Sequence, residues 1–195
     1  MRILLAMTIL VLSPTLALAH GELDHHGGFV HGFAHPIGGI DHVLAMLAVG
    51  VFAFVLGGRA LWLLPLSFVS MMLAGFALGI ARVDLPFVEL GIALSSIAIG
   101  GAAATGRSMP VAVAAAMVGA FAIFHGYAHG AEMPQVTDAL TYTLGFVAAT
   151  ALLHLVGLAG ALGADRIAGR LGKTAGQFAG AAFAAGGVAV LAGWL

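Results

Sequence analysis

Six apolar runs, each near the roughly 20 residues that carry a helix across a bilayer, leave this chain few ways to fold. They extend over Pro36–Gly57, Leu61–Ile80, Pro86–Ala104, Pro110–His129, Ala139–Leu162 and Thr174–Leu195, joined by short polar links. With 62% hydrophobic and 8% charged residues, there is too little polar surface to clothe a water-soluble domain, so the bilayer must be the main solvent. The spacing predicts an all-α membrane protein, a bundle of six transmembrane helices built as one unit over residues 35–195. Three of the runs begin with proline (Pro36, Pro86 and Pro110), a residue that suits the first helical turn because its missing donor has no partner there anyway. The last run carries Gly176, Gly180 and Ala184 at four-residue spacing, a close-packing face.

Ahead of the bundle, Arg2, the apolar stretch Ile3–Leu12, the break at Ser13-Pro14 and the small residues Ala17 and Ala19 read as a signal peptide over residues 1–19. Cleavage after Ala19 leaves His20 at the mature N-terminus; the other reading is an uncleaved first helix. Residues 20–34 then form a periplasmic, glycine-rich segment with His20, His25, His26 and His31, either a collector of metal or an idle tail. Charge fixes the orientation. With the mature N-terminus outside, the inward links hold Arg59, Arg107, Arg166, Arg170 and Lys173, and the outward links hold Arg82 alone, as the positive-inside rule requires. Both ends of the multi-pass chain are thus expected on the periplasmic side of the inner membrane.

Several function classes drop out. A net charge of −1 with seven scattered Lys and Arg gives no basic stripe for a nucleic-acid backbone. The chain contains no cysteine, which removes thiolate metal sites and leaves any metal to imidazole, carboxylate, thioether or backbone oxygen. No glycine loop with a lysine cradles a phosphate, so neither direct use of ATP nor an ATPase subunit is evident.

The informative residues are the ionisable ones inside apolar runs, since such a group costs at least a few kcal/mol in hydrocarbon unless it is partnered. The first run opens with His35-Pro36-Ile37-Gly38-Gly39-Ile40-Asp41-His42; on one continuous helix His35 and His42 share a face, with Asp41 beside it. The fourth ends with His125, His129 and Glu132 at steps of four and three, a single helical stripe. Both clusters lie at the outer ends of their spans. Together they offer four to six nitrogen and oxygen donors, a set that suits nickel, cobalt, zinc or copper, with carboxylates to neutralise the cation. Glycines 38, 39, 126 and 130 lie between these donors and leave room either for close helix approach or for an ion to pass. Glu89 is a further ligand, a proton-accepting partner or an interfacial residue. His154, deeper and toward the cytoplasm, is either an inner way-station or a core histidine bonded to a carbonyl. Met46, Met71 and Met72 read as packing side chains.

The string from His35-Pro36 through Gly38-Gly39 and Asp41-His42 to Ala45-Met46 and Val49-Gly50 resembles the signature of the HupE/UreJ family of nickel permeases. Phe124-His125-Gly126, Ala128-His129-Gly130 and Glu132 complete the resemblance, which spans essentially the whole chain. It implies a secondary permease taking up Ni²⁺, or Co²⁺, across the bacterial inner membrane to supply hydrogenase or urease maturation. No permanently bound cofactor and no enzymatic activity are implied. It further implies functional roles for His35, Asp41, His42, Glu89, His129 and Glu132, with Phe68 beside them. Two other classes fit parts of the pattern: an intramembrane zinc hydrolase with an open coordination position, and an electron-transfer subunit with haem held by His42 and His125 or His129. Oligomeric state cannot be read from these residues.

Overall fold

The computed structural model describes residues 27–168 and 172–195. The signal peptide, His20, His25, His26 and Arg170 lie outside the described residues. Those described form seven helices and no strand: α1 (Gly27–Gly38), α2 (Ile40–Leu56), α3 (Ala60–Ile80), α4 (Val88–Thr105), α5 (Val111–Ala131), α6 (Ala139–Ala168) and α7 (Gly172–Leu191). Helices α3 to α7 are each long and apolar enough to cross a membrane, and α1 with α2 passes the same test only as a bent pair. The chain is a multi-pass membrane protein with five or six spans.

The break between α1 and α2 corrects the expectation of one straight span from Pro36 to Gly57. The two axes meet at 83°, and Gly39 joins them in an extended conformation, φ −99° and ψ 118°. Pro36 lies inside the last turns of α1 instead of opening a helix. Two successive glycines resist helix continuation by about 1 kcal/mol each, so the chain turns there. The new helix is stabilised at its start by Asp41, whose carboxylate accepts from the His42 backbone N–H at 2.8 Å and places negative charge at the positive end of the helix dipole. His35 and His42 therefore sit on different helices. Residues 27–34, within the glycine-rich segment ahead of the six runs, are helical as well.

Other boundaries moved less. Helix α4 starts at Val88, after Phe87 adopts a left-handed φ of 61°, and α6 runs six residues past its expected end, carrying Arg166 into its last turn. Asp138 caps α6: its carboxylate accepts from the Thr141 N–H at 2.9 Å, and that bond holds its pKa below the usual carboxylate range.

Glycine governs how the helices meet. Between α3 and α5, a Cβ at Gly75 or Gly79 would strike the carbonyls of Ile123 or Tyr127, and one at Gly126 or Gly130 those of Met72 or Phe76. Backbones this close gain van der Waals contact that lipid cannot supply. Gly100 and Gly180 face one another between α4 and α7, and across α2 and α6 Gly50 meets the His154 carbonyl and Gly157 that of Leu47. The close-packing face expected in the last run is therefore real: Gly176 rests on Phe54 and Val55, and Gly180 on Ala103. Helix α2 lies at the centre, touching α3, α4, α6 and α7, with Met46, Val49 and Phe52 fully buried. Trp62, Leu66, Val113, Leu155 and Phe178 point outward, where only lipid can solvate them.

Candidate metal centre

The start of α2 meets the end of α5, so the two polar stripes lie at one depth, as short links between antiparallel spans require. His42 touches both histidines of α5, with ring centroids 4.7 Å from His125 and 5.0 Å from His129. From α1, His35 reaches over the bend to lie 4.9 Å from the His129 ring, and its Nε2 pairs with Glu132 Oε2 at 3.0 Å. The bend thus restores by tertiary contact what a straight helix would have given by periodicity.

Hydrogen bonding sets which ring nitrogens remain free. A carboxylate only accepts, so the 3.0 Å contact between Asp41 Oδ1 and His42 Nδ1 has the imidazole N–H donating, which leaves the Nε2 lone pair of His42 without a partner. His125 is set by Ser95. The Ser95 hydroxyl donates its proton to the Ile92 carbonyl at 2.6 Å and accepts from His125 Nε2–H at 2.9 Å, so His125 Nδ1 is free. His129 has no partner on either nitrogen, is fully buried, and lies flat against Phe146 at 5.0 Å. A buried imidazole lone pair aimed at no donor is an expensive thing to fold. Here several share one column, which is the arrangement a cation would reward.

The column opens to a cleft of about 520 Å³ lined by His31, His35, Asp41, His42, Glu89 and Glu132, with Gly38 and Gly39 on its wall. Of the expected ligands, His35, Asp41, His42, Glu89 and Glu132 reach the cleft, whereas His125 and His129 lie behind it. His31, expected in the N-terminal segment, joins the cleft from α1. Among the described residues no three histidine or carboxylate donors close around a single point. The rings touch in series, His35 with His129, His129 with His42 and His42 with His125, so the donors are staggered along a path instead of gathered into one cage. Rings in direct contact also leave no slot for a porphyrin plane between His42 and His125 or His129.

Gly126 and Gly130, between the ligands in sequence, turn their faces to the α3 backbone and serve helix approach. Gly38 has open space where a Cβ would stand. Four buried polar residues received no role from the sequence: Ser95, which orients His125; Ser96 and Thr150; and Tyr142, whose hydroxyl is buried without a partner. Thr150 stands alone in an apolar stretch, Ser95 and Ser96 form a pair in one, and Tyr142 lies between Thr141 and Thr143; a polar residue inside an apolar run is the one signal that would have found them. Deeper still, Phe68 lies between His125 at 5.4 Å and His154 at 5.0 Å. No carbonyl accepts from His154, which has both nitrogens unpartnered, so of its two expected roles the bonded core histidine is not what is seen.

A family model described as HupE / UreJ protein matches residues 7–190. The chain is 43% identical over 180 residues to Protein HupE of Rhizobium leguminosarum bv. viciae, covering 92% of each sequence. No solved structure matches it.

Proposed function

The chain belongs to the HupE/UreJ family, and from that premise we propose that it takes up Ni²⁺, or Co²⁺, across the bacterial inner membrane to supply hydrogenase or urease maturation. The observation that carries this reading is the buried column of free imidazole lone pairs on His42, His125 and His129, open at one end to a cleft with three carboxylates. A hydrated dication enters at Glu89, Glu132 and Asp41, exchanges water for His35 and His42, and passes to His129 and His125 behind the cleft. Imidazole and carboxylate hold nickel firmly enough to strip its water and, lacking thiolate, loosely enough to release it. Staggered donors serve passage, since each step trades a small number of ligands for the next.

Under the charge asymmetry of the links, the cleft faces the periplasm and Arg59, Arg107, Arg166 and Lys173 face the cytoplasm. The membrane potential then drives a cation inward by about 2.3 kcal/mol per charge per 100 mV. The test is accumulation of radioactive nickel in cells expressing Asp41→Asn or His42→Ala. Removing the carboxylate that orients His42, or the imidazole itself, should cut uptake by about tenfold or more. Uptake at the wild-type rate in both variants, at equal protein levels, would end this reading.

A further inference from the structure

Beyond the outer column, α6 presents Tyr142, Phe146, Thr150 and His154 at four-residue steps, all buried. Facing them, α3 presents Phe68, Met72 and Phe76. The two stripes are in register. The Thr150 hydroxyl donates to the Met72 sulfur at 3.6 Å, and one turn further inward the Phe68 ring meets the His154 ring edge to face at 5.0 Å. His154 is only 2% exposed, and neither of its ring nitrogens has a partner. Leaving such a group unsatisfied costs on the order of 1 to 3 kcal/mol, and leucine would pack there without that cost.

We propose that His154, with the Met72 thioether and the Thr150 hydroxyl one turn outward, forms a second, inner station for a borderline-soft dication, closed off from the outer histidines by the Phe68 ring. The donor chemistry is consistent: imidazole nitrogen and thioether sulfur bind the later first-row divalent metals and neglect Mg²⁺ and Ca²⁺. Position is consistent too. Phe68 touches both the innermost outer histidine, His125, and His154, so its ring stands at the step an ion would take between them. While it rests at His154 with Phe68 in place, it has no open route back to the cleft. Met72, which the sequence presents as a packing residue, thereby gains a second use.

This inference rests on the uptake reading and is tested apart from it. The full-length protein is reconstituted into phosphatidylethanolamine–phosphatidylglycerol vesicles enclosing a fluorescent nickel chelator. Nickel entry is followed in wild type, H154A and H154Q, and an external EDTA quench measures how much bound nickel is held out of reach. In both variants we expect equilibrium nickel binding at the outer column to stay within about twofold. The EDTA-resistant fraction should vanish, and entry should fall by about tenfold or more. Retention of outer binding shows that the variants are folded, and glutamine, close in size to histidine, guards against a packing artefact in H154A. X-ray absorption at the nickel edge of EDTA-quenched wild type should show a sulfur neighbour that M72L removes. Wild-type entry and an undiminished resistant fraction in H154Q would make His154 a core histidine only and overturn the station. A wild type that moves no nickel overturns the uptake reading and the station with it.

Discussion

Two pairs of glycines flank the candidate ligands of this protein and look alike in sequence, yet they do opposite things. Gly126 and Gly130 lie beside His125 and His129 on α5 and press against the α3 backbone so closely that a Cβ at either would collide with a carbonyl. Gly38 and Gly39 lie between His35 and Asp41, border the cleft, and mark an 83° turn. One pair locks two helices together so that the buried histidines hold their depth. The other lets a helix end, so that His35 can approach from a different direction than His42. The difference teaches that a missing side chain near a ligand is not by itself a path for an ion: what the backbone meets there decides its use.

The contrast can be broken by adding one methyl group at a time. Gly126→Ala should have the largest effect, because its Cβ would overlap Met72 O and neither backbone can yield without parting α3 from α5. We expect a loss of about 3 kcal/mol or more, read as collapse of the monodisperse yield after detergent extraction. Gly39→Ala should come next and act on function instead of folding. Its Cβ would stand 2.8 Å from Asp41 Oδ1 and 3.2 Å from His42 Nδ1, and the extended backbone at that position suits alanine. Normal yield with nickel uptake reduced by roughly three- to tenfold is the expected pattern; unchanged uptake would show that the hinge does not tune the Asp41–His42 pair. Gly38→Ala should do least, since open space surrounds it. Its thermal stability should remain within about 1 kcal/mol of wild type. Should Gly38→Ala prove as damaging as Gly126→Ala, the distinction between the two pairs fails.

Much of this architecture is legible in the chain because the bilayer simplifies the problem. A span must satisfy its own backbone, so α3, α4, α5 and α7 follow from apolar run length alone. Short links make neighbours antiparallel, so the shared depth of the α2 start and the α5 end is readable from order, whereas the contact of His42 with His125 and His129 depends on how the helices pack. The α1–α2 bend is not, because the apolar pattern continues through Gly38-Gly39 and Pro36 resembles a helix opener. Only the partners of α1, among them Tyr142 against Gly32, decide that it folds across α6. Hydrogen-bond roles are equally out of reach: nothing in the periodicity of α4 says that Ser95 will face His125, since which side of a uniformly apolar helix turns inward is set by its neighbours. Whether donors converge on one point or form a staggered series likewise depends on rotamers that no spacing rule contains.

Three acidic groups, Asp41, Glu89 and Glu132, share the mouth of the cleft while the links at the opposite end of the bundle carry arginine and lysine. A concave anionic patch walled by hydrocarbon concentrates field lines and enriches divalent counter-ions locally above bulk supply. Capture at limiting metal should weaken as ionic strength rises and the Debye length shrinks toward about 3 Å at 1 M. The maximal rate at saturating metal, governed by the screened interior, should stay nearly level. Under the proposed uptake role, this funnel, more than the candidate donors behind it, sets how dilute a supply the cell can scavenge.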